Sequence, residues 1–414
     1  MNESTALKLA VIGAGPVGLS LALHAAATLT GAEITLFDSR PLAKDVAADP
    51  RTLALSLGSV QLLQRLGAWR AELAQPIREV HVSQGAPSLL AAFAPRLAEP
   101  ELTIRAIDEA VPMLGAVLRY GEIVAPLQAA WLAAEAQAPR RLASRFGTAV
   151  TALKNLATPS GVEVDAGVAE RFDLAVIAEG GVFSTAARTE LVAGERRPAF
   201  RHDYAQTAWV GVAEFVPAAA GTAANDAGVA YERFTRHGPA ALLPLRDGRA
   251  GLVWCTDSRN DPVQGLDDAQ RVAVLNTIFH PRTPRLASVT PLKAFALGLT
   301  AERTLADGRT VRIGNAAQTL HPVAGQGLNL GMRDAFELVR SLAKSRDVDA
   351  ALRRLEWQRA PDRWAMIAAT DFLARSFTWS LPGLGTARGL GIAGLQRLGP
   401  VKSAIARQMM FGSR

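Results

Sequence analysis

Three glycines near the start of the chain lie between an apolar run, 8–12, and sequence of helical composition. Gly13, Gly15 and Gly18 have the spacing G-x-G-x-x-G. In such a turn the first glycine permits a tight bend, the second lets a pyrophosphate approach the backbone, and the third lets helix and strand pack closely. The phosphates then meet unpaired N–H groups at the positive end of the helix. The pattern therefore predicts dinucleotide binding.

An acidic residue follows where a dinucleotide would need one. Asp38 follows a second apolar run, 33–37, and stands twenty residues after Gly18. Its carboxylate can accept hydrogen bonds from ribose hydroxyls and would repel a 2′-phosphate. Strand, glycine turn, helix and acidic residue thus stand in the order of a βαβ unit. The motif alone does not distinguish FAD from NAD.

Two later segments also place glycines after a buried-strand pattern. Residues 173–178 lead into Glu179-Gly180, with Ser184 and Arg188 downstream, and residues 311–313 lead into Gly314-Asn315 and on to Asp334. Together with the first motif, these segments resemble the three fingerprints of the flavoprotein aromatic hydroxylases, in the same order. The family has Asp in place of Glu179, so nicotinamide affinity is the property most affected. It also has Asp in place of Asn315, which keeps an oxygen acceptor for the ribityl chain.

Further segments narrow the resemblance to the ubiquinone-biosynthesis hydroxylases, on the branch that acts on a 2-polyprenyl-6-methoxyphenol. They are 51–56, 66–69, 231–245 and 252–255. The resemblance implies an FAD-dependent monooxygenase in which NAD(P)H reduces the flavin and O₂ forms a C4a-hydroperoxide. The hydroperoxide passes its distal oxygen to an electron-rich phenol. A sibling hydroxylase for another ring position or a soluble phenol, a flavin-binding scaffold of a quinone-synthesis complex, and a simple NAD-dependent dehydrogenase remain as alternatives.

The resemblance also implies an α/β fold: a Rossmann-type FAD-binding domain interleaved with an antiparallel-sheet substrate domain, p-hydroxybenzoate hydroxylase-like, plus C-terminal helices. We assign residues 1–78, 101–188 and 286–340 to the FAD domain. Residues 79–100 and 189–285 form the substrate domain, and 341–414 the helical region. The helical spacing of Leu53 to Leu66 predicts a helix there.

The loop from Pro322 to Asn329 is where we expect the flavin ring. A helix beginning near Leu328 would aim N–H donors at the flavin N1–C2=O edge. His321 is either a general base for the phenol or a hydrogen-bonded support, and Pro322 and Gln326 complete the catalytic candidates. The expected cofactor-binding residues are Gly13, Gly15, Gly18, Asp38, Arg51, Glu122, Glu179, Gly180, Gly314, Asn315, Gly325, Gly327, Leu328 and Asn329.

Alternatives stay open at several of these positions. Arg51 lies over the flavin or the nicotinamide entry, or is a solvated arginine. Glu122 touches the ribityl chain or is a surface carboxylate. The substrate candidates either steer the phenol or, for the charged ones, keep a sheet edge soluble. They are Arg233, Phe234, His237, Leu243 and Pro244.

Composition limits the partners. The net charge is +7 and the pI about 10, yet no basic patch stands out, so nucleic-acid binding is not expected. Either a GC-rich genome or attraction to an anionic membrane explains the arginines. The chain has one cysteine, Cys255, and six scattered histidines, so we expect no disulfide and no metal site.

Targeting patterns complete the expectation. No signal-peptide pattern and no run of 18 apolar residues appears, which favours a cytoplasmic protein that is soluble or peripheral at the inner face of the cell membrane. The apolar residues 372–381 and the arginine-dotted stretch 382–407 form either an interfacial surface or helices packed on the FAD domain.

Overall fold

The computed structural model describes residues 6–85, 100–180, 200–217, 228–345, 347–376 and 384–412. The strands are β1 (Lys8–Ile12), β2 (Glu33–Asp38), β3 (Thr52–Ser56), β4 (Gln75–Ile77), β5 (Glu79–Gln84), β6 (Glu101–Arg105), β7 (Gly115–Arg119), β8 (Leu142–Phe146), β9 (Ala152–Leu156), β10 (Gly161–Asp165), β11 (Ala169–Phe172), β12 (Leu174–Ile177), β13 (Phe200–Phe215), β14 (Val229–Thr235), β15 (Gly238–Pro244), β16 (Arg249–Asp257), β17 (Leu286–Val289), β18 (Lys293–Ala301), β19 (Ala306–Asp307), β20 (Thr310–Arg312) and β21 (Gln318–Thr319). The helices are α1 (Pro16–Thr28), α2 (Leu57–Arg65), α3 (Tyr120–Gln137), α4 (Asp268–Ile278), α5 (Gln326–Lys344), α6 (Val348–Ser376), α7 (Leu384–Arg397) and α8 (Gly399–Phe411).

A six-stranded sheet carries the nucleotide-binding motifs. Its order is β19-β20-β12-β1-β2-β8, and every pair except β19–β20 is parallel. Helices α1, α3 and α5 contribute to the core on one face, and the small antiparallel sheet β9–β11 covers the other. Because both faces are covered, β12 and, after the exposed Lys8, β1 consist of apolar residues that are almost fully buried. The predicted Rossmann-type architecture is confirmed.

A nine-stranded, mostly antiparallel sheet forms the second domain, and we call it the substrate sheet. Its order is β21-β18-β13-β16-β15-β14-β5-β6, with β17 paired to β13. Helix α4 packs on one face around Trp209, Trp254 and Leu275. The opposite face meets the FAD domain and the C-terminal helices, so this sheet bounds the space in front of the nucleotide-binding edge.

Two boundaries differ from the prediction. Residues Thr52–Ser56 form strand β3, paired with β7, and the helix begins only at Leu57. The apolar pattern of that short segment is compatible with a helix and with a strand, and pairing with β7 makes it a strand. Strands β6, β17 and β18 belong to the substrate sheet although we assigned 101–188 and 286–340 to the FAD domain. Strand patterns do not reveal which sheet a strand joins.

A buried polar network attaches the C-terminal helices to α5. Arg359 donates to Asp334 at 2.7 Å and to Asp362 at 2.7 Å, and Gln408 donates to Asp362 at 2.6 Å. Both carboxylates have no exposed surface. Charged groups in such a place are tolerated only when they are paired. The network therefore fixes α6 and α8 relative to the helix that follows the expected flavin loop.

Candidate flavin site and substrate-facing surface

Four neighbouring parallel strands deliver the predicted motifs to one edge of the sheet. Gly13 follows β1, Glu179 follows β12, Gly314 follows β20, and Asp38 ends β2. Since β20, β12, β1 and β2 are adjacent and parallel, their carboxyl ends meet. This edge is where ligands bind in open α/β sheets. Segments separated by up to three hundred residues in the chain thus share one site.

In the first glycine turn, two glycines are required by the fold, and the third leaves space for a ligand. Gly13 has φ +105°, and a Cβ at Gly18 would lie 1.9 Å from the Gly13 carbonyl oxygen, so the fold itself requires both glycines. At Gly15 the nearest atom to an added Cβ would be the Tyr120 Oη, at 3.5 Å, which is an ordinary contact. Gly15 also gives α1 no side-chain cap. The open space and the uncapped N–H groups fit a pyrophosphate.

Asp38 is held against this turn. Its carboxylate accepts hydrogen bonds from the backbone N–H of Ala14 at 2.6 Å and of Arg40 at 2.7 Å. The Arg40 guanidinium in turn donates to the Ala14 carbonyl and to Gln128 Oε1, both at 3.2 Å. Sequence reasoning missed Arg40 and Gln128, because nothing in their spacing links them to the glycine motif.

The second and third motifs contact each other directly. Asn315 Nδ2 donates to the Gly180 carbonyl at 3.2 Å, and a Cβ at Gly180 would lie 2.4 Å from the Asn315 Cβ. Glu179 lies against Gly13, and burial together with the negative charge of Asp38 raises the pKa of its carboxyl. Ser184 and Arg188, the remaining parts of the second motif, lie outside the described residues.

The expected flavin loop ends at the beginning of a helix, as predicted, but two residues earlier. Helix α5 begins at Gln326 rather than near Leu328, after a 3₁₀ turn over Val323–Gly325. Gly325 has φ +59° and offers no side-chain cap, so the first N–H groups of α5 are directed to the site edge without a side-chain acceptor at the cap. The neighbouring Gly327 faces the Asn315 Oδ1. This helix end is suited to an electron-rich group.

The side chain of Asn329 is fully occupied by protein. Its Oδ1 accepts from the Ser56 N–H and the Ser59 hydroxyl, and its Nδ2 donates to the carbonyls of Ala54 and Gly325. We expected Asn329 to bind the cofactor. The contacts instead make it the residue that fastens the loop to β3 and α2. Leu328 packs, half-buried, against the main core.

His321 is buried at the base of the same loop. Its Nδ1 accepts from the Val323 N–H at 3.2 Å, so Nε2 carries the proton and donates to Gln206 Oε1 at 2.9 Å. The Tyr204 ring packs edge-on against the imidazole. Burial lowers the pKa of His321 to about 4, so the ring is neutral near pH 7. Of the two predicted roles, these contacts match hydrogen-bonded support.

Arg51 lies near the glycine turn, on Tyr120. Its guanidinium stacks 4.2 Å from the Tyr120 ring centroid and pairs with Asp49 at 2.7 Å, yet half of its side chain remains exposed. Glu122 has a different environment from the ribityl contact that we expected. It caps α3 by accepting from the Arg119 N–H at 2.7 Å, and it pairs with Arg246 at 3.3 Å.

The five substrate candidates divide between the two faces and the end of the sheet. Phe234 and Leu243 face the FAD domain. Arg233 points to the opposite face, where its Nε donates to the Ile278 carbonyl at 2.9 Å, because neighbours in a strand alternate. His237 is exposed in the turn between β14 and β15, beside Arg236, and Pro244 is buried at the other end of β15. Arg233 and His237 therefore do not line the flavin-facing surface.

An apolar cluster joins the flavin loop to the sheet and to the C-terminal helices. We call it the junction cluster, and its buried members include Val323 of the loop, Ala230 and Phe234 of β14, and Ile392 and Met410 of the last two helices. Phe234 is 4% exposed and Val323 is 3% exposed. The half-buried members Val82 and Leu243 are the ones that leave apolar surface for a hydrophobic substrate.

The histidines are less scattered than the sequence suggested. His81, Glu101 and His280 have ligand atoms within 4.8 Å of one another, on the face of the substrate sheet that packs against α4. Arg282 donates to a Glu101 carboxylate oxygen at 3.2 Å, so a positive charge already neighbours the carboxylate. Burial raises the pKa of Glu101, but hydrogen bonds from His81 and Arg282 outweigh it and lower the pKa overall. The six-histidine count could not reveal this grouping.

Comparison with known proteins agrees with this geometry. A family model described as FAD binding domain matches residues 132–370, more than half of the chain. The chain therefore belongs to this FAD-binding family and is a flavin-dependent aromatic-ring monooxygenase. Its cofactor is FAD, and the glycine turn, Asp38 and the two uncapped helix ends fit that group.

Individual relatives extend over nearly the whole chain. The chain is 30% identical over 417 aligned residues to the 3-demethoxyubiquinol 3-hydroxylase of Escherichia coli K12, covering 97% of each chain. It is 29% identical to the ubiquinone hydroxylase UbiL of Rhodospirillum rubrum, covering 97% of this chain and 88% of that one. The predicted resemblance to ubiquinone-biosynthesis hydroxylases is confirmed. The fold is shared with Klebsiella pneumoniae HpxO, solved with FAD and uric acid, at a TM-score of 0.69 and 18% identity over 97% and 96% of the two chains.

Proposed function

We propose that this protein hydroxylates the ring of a polyprenylated phenol during ubiquinone biosynthesis, with NAD(P)H and O₂ as co-substrates. The observation that carries the proposal is the junction cluster, whose half-buried members Val82 and Leu243 leave apolar surface on the flavin-facing side of the substrate sheet. A prenyl chain gains about 25 cal/mol per Å² of apolar surface that it buries. The two relatives named above are a 3-demethoxyubiquinol 3-hydroxylase and a ubiquinone hydroxylase.

Several residues would hold the cofactor. The N–H groups at Gly15 and the first turn of α1 would receive the pyrophosphate. Asp38 would accept hydrogen bonds from ribose hydroxyls, and Asn315 from the ribityl chain. Bound FAD supplies an activated oxygen atom from O₂ after accepting a hydride from NAD(P)H. The first turn of α5, from Gln326 onward, would offer N–H donors to the electron-rich edge of the ring.

The remaining site residues hold the flavin loop in position, meet the co-substrate or exclude water. His321 acts as a positioning residue, since its two nitrogens hold Gln206 of the substrate sheet and Val323 of the loop together. The exposed half of Arg51 offers a positive charge to NAD(P)H or to a flavin phosphate. Gln326, which is buried, and Pro322, which is half-buried, would shield the reacting oxygen from water.

The proposal is tested by NAD(P)H oxidation with purified, FAD-loaded protein. We expect a polyprenylated or short-chain prenylated phenol to stimulate oxidation and to be converted to a hydroxylated product. Flavin-loaded protein that no phenol stimulates would favour a scaffold in a quinone-synthesis complex instead. Quinone profiling of a deletion strain then identifies the hydroxylated carbon from the intermediate that accumulates.

We also propose that helices α7 and α8 dock on an anionic membrane surface. Between residues 384 and 412 the chain has four basic and no acidic residues. Leu398, Val401 and Ile405 are between 38% and 54% exposed and follow helical spacing along one face. Exposed apolar side chains beside basic ones are typical of interfacial helices. Among the described residues, no helix is both long and apolar enough to cross a bilayer.

Vesicle sedimentation tests the docking surface. We expect binding to phosphatidylglycerol vesicles but not to phosphatidylcholine vesicles, and we expect the double variant Val401→Ser, Ile405→Ser to bind less. Leu42→Ser is a matched control, because Leu42 is 47% exposed and lies far from α8 in the chain. Equal binding by the double variant and the control would contradict the proposed surface.

A further inference from the structure

A carboxylic acid lies on the apolar, flavin-facing side of the substrate sheet. Glu232 occupies the middle of β14, between Ala230 and Phe234, which are both buried members of the junction cluster. Side chains two apart on a strand share a face, so Glu232 points to the same side. Tyr231 and Arg233 point the other way, towards α4. The sequence analysis passed over Glu232 in favour of its neighbour Arg233.

The surroundings of Glu232 give its carboxyl no protein partner. Its register neighbours are Val82 of β5 and Ala241 of β15, neither of which has a polar side chain. Within the residues that the structure describes, no group donates a hydrogen bond to the carboxyl or forms an ion pair with it. Cys255 of β16 is near enough that the negative charge of Glu232 adds to burial in raising the pKa of its thiol.

The carboxyl is enclosed by protein but not sealed. Burial raises the pKa of Glu232 to about 8, and no neighbouring charge contributes to that shift. The side chain nevertheless keeps part of its surface accessible. An ionisable group without a partner in an apolar surface costs stability. Such a group, on a surface open to a ligand, points to a functional role.

We propose that Glu232 binds the hydroxyl group of the phenol and accepts its proton, an inference that rests on the proposed function. The O–H bond of the phenol breaks, an O–H bond forms on Glu232, and the electron pair stays on the phenol oxygen. That pair is delocalised to the ring carbon, which forms a bond to the transferred oxygen atom. The O–O bond that the bound flavin would supply breaks at the same time, and its electron pair stays on the flavin-side oxygen, which takes up a proton from water. The carbon then releases its hydrogen to water as a proton, aromaticity returns, and Glu232 gives its proton back to the original oxygen.

The proton affinity of this group suits the task. An ordinary glutamate has a pKa near 4, whereas a phenol has one near 10, so an ordinary carboxylate is a weak base for a phenol. Burial raises the pKa of Glu232 and so brings it much closer to the pKa of the phenol. The neighbouring Cys255 stays protonated, because burial and Glu232 raise its pKa. Among the described residues that pack around Glu232, Cys255 is the titratable one whose charge is coupled to it.

Glu232→Gln tests the inference with little change of shape. We expect full FAD loading, a decrease of about a hundredfold in kcat/KM for the phenol, and loss of the rise in kcat/KM through about pH 8. Glu79→Gln is the matched control, because Glu79 lies on the adjacent strand and its side chain points to the α4 face. The control should keep both the rate and the pH profile of the natural protein.

A binding comparison separates this inference from the proposed function. The oxidised holoenzyme should bind a prenylated phenol more tightly than its methyl ether, and Glu232→Gln should reduce that preference. Equal affinity of the natural protein for phenol and ether would overturn the role of Glu232, as would a variant with unchanged rate and pH profile. If no phenol is hydroxylated by the natural protein, the proposed function fails, whereas the affinity ratio still reports on Glu232.

Discussion

Asn329 Oδ1 accepts a hydrogen bond of 2.8 Å from the backbone N–H of Ser56, across 273 positions of the chain. The Ser59 hydroxyl donates to the same oxygen at 2.8 Å. Through these contacts the helix that follows the flavin loop is attached to the strand and helix beside it. The shape of the loop therefore depends on a side chain that points away from the ligand.

Asn329→Ala should destabilise the protein even without FAD. The change orphans the Ser56 N–H and the carbonyls of Ala54 and Gly325 in a buried place, at a cost of about 3 kcal/mol in the free energy of unfolding. Urea unfolding of the apoprotein measures this. Asn260→Ala is the control, because Asn260 is exposed. A variant as stable as the control would show that the loop is not fastened there.

Substitution of Gly15 should affect FAD binding, whereas substitution of Gly18 should affect the stability of the apoprotein. Gly15→Ala should leave the melting temperature of the apoprotein nearly unchanged but weaken FAD binding, and Gly15→Val should abolish it, since the added carbons occupy the pyrophosphate space. Gly18→Ala should destabilise the apoprotein, because its Cβ would overlap the Gly13 carbonyl. Flavin absorbance and thermal unfolding separate the two effects. Full FAD occupancy in Gly15→Val would refute the site.

His321 should make stability depend on pH. Its pKa is lowered to about 4 in the folded protein, against about 6.5 when unfolded, so the unfolded state binds more protons between these values. The contribution is complete above about pH 6.5 and is lost as the pH falls towards 4. We expect the stability difference between the natural protein and His321→Gln to shrink by about 2 kcal/mol from pH 7 to pH 5. A constant difference would contradict the neutral, buried imidazole.

Gln326→Ala should uncouple the reaction without releasing FAD. The side chain is 7% exposed at the start of α5, and its removal admits water beside the flavin loop. The ratio of H₂O₂ formed to NAD(P)H consumed should increase severalfold. Exposed Gln264→Ala should behave as the natural protein. Unchanged coupling would place the flavin ring elsewhere.

The glycine turn and the edge of the parallel sheet were predictable because they depend on local rules. Gly13, Gly18 and Asp38 lie next to strands whose apolar runs identify them, and parallel strands end at one edge. Asn329 was assigned to the cofactor because its partners, Ser56 and Ser59, are distant in the chain. The sequence carries no periodicity that reports such a contact.

The substrate face shows the same limit. Arg233 attracted attention as a charged residue in a motif, yet the register of β14 sends it to the α4 side and sends Glu232 to the flavin side. Which of two adjacent residues faces the ligand depends on the sheet to which the strand belongs. For the same reason, the sequence does not reveal that the strands beginning near 101 and 286 join the substrate sheet.

Isotope transfer tests the central claim most directly. The FAD-loaded protein is supplied with NAD(P)H, a prenylated phenol and ¹⁸O₂, and the product is analysed by mass spectrometry. We predict that one ¹⁸O atom appears in a new ring hydroxyl for each turnover that consumes NAD(P)H and yields product. A product without ¹⁸O, or ¹⁸O recovered only as hydrogen peroxide and water, would contradict ring hydroxylation by this protein.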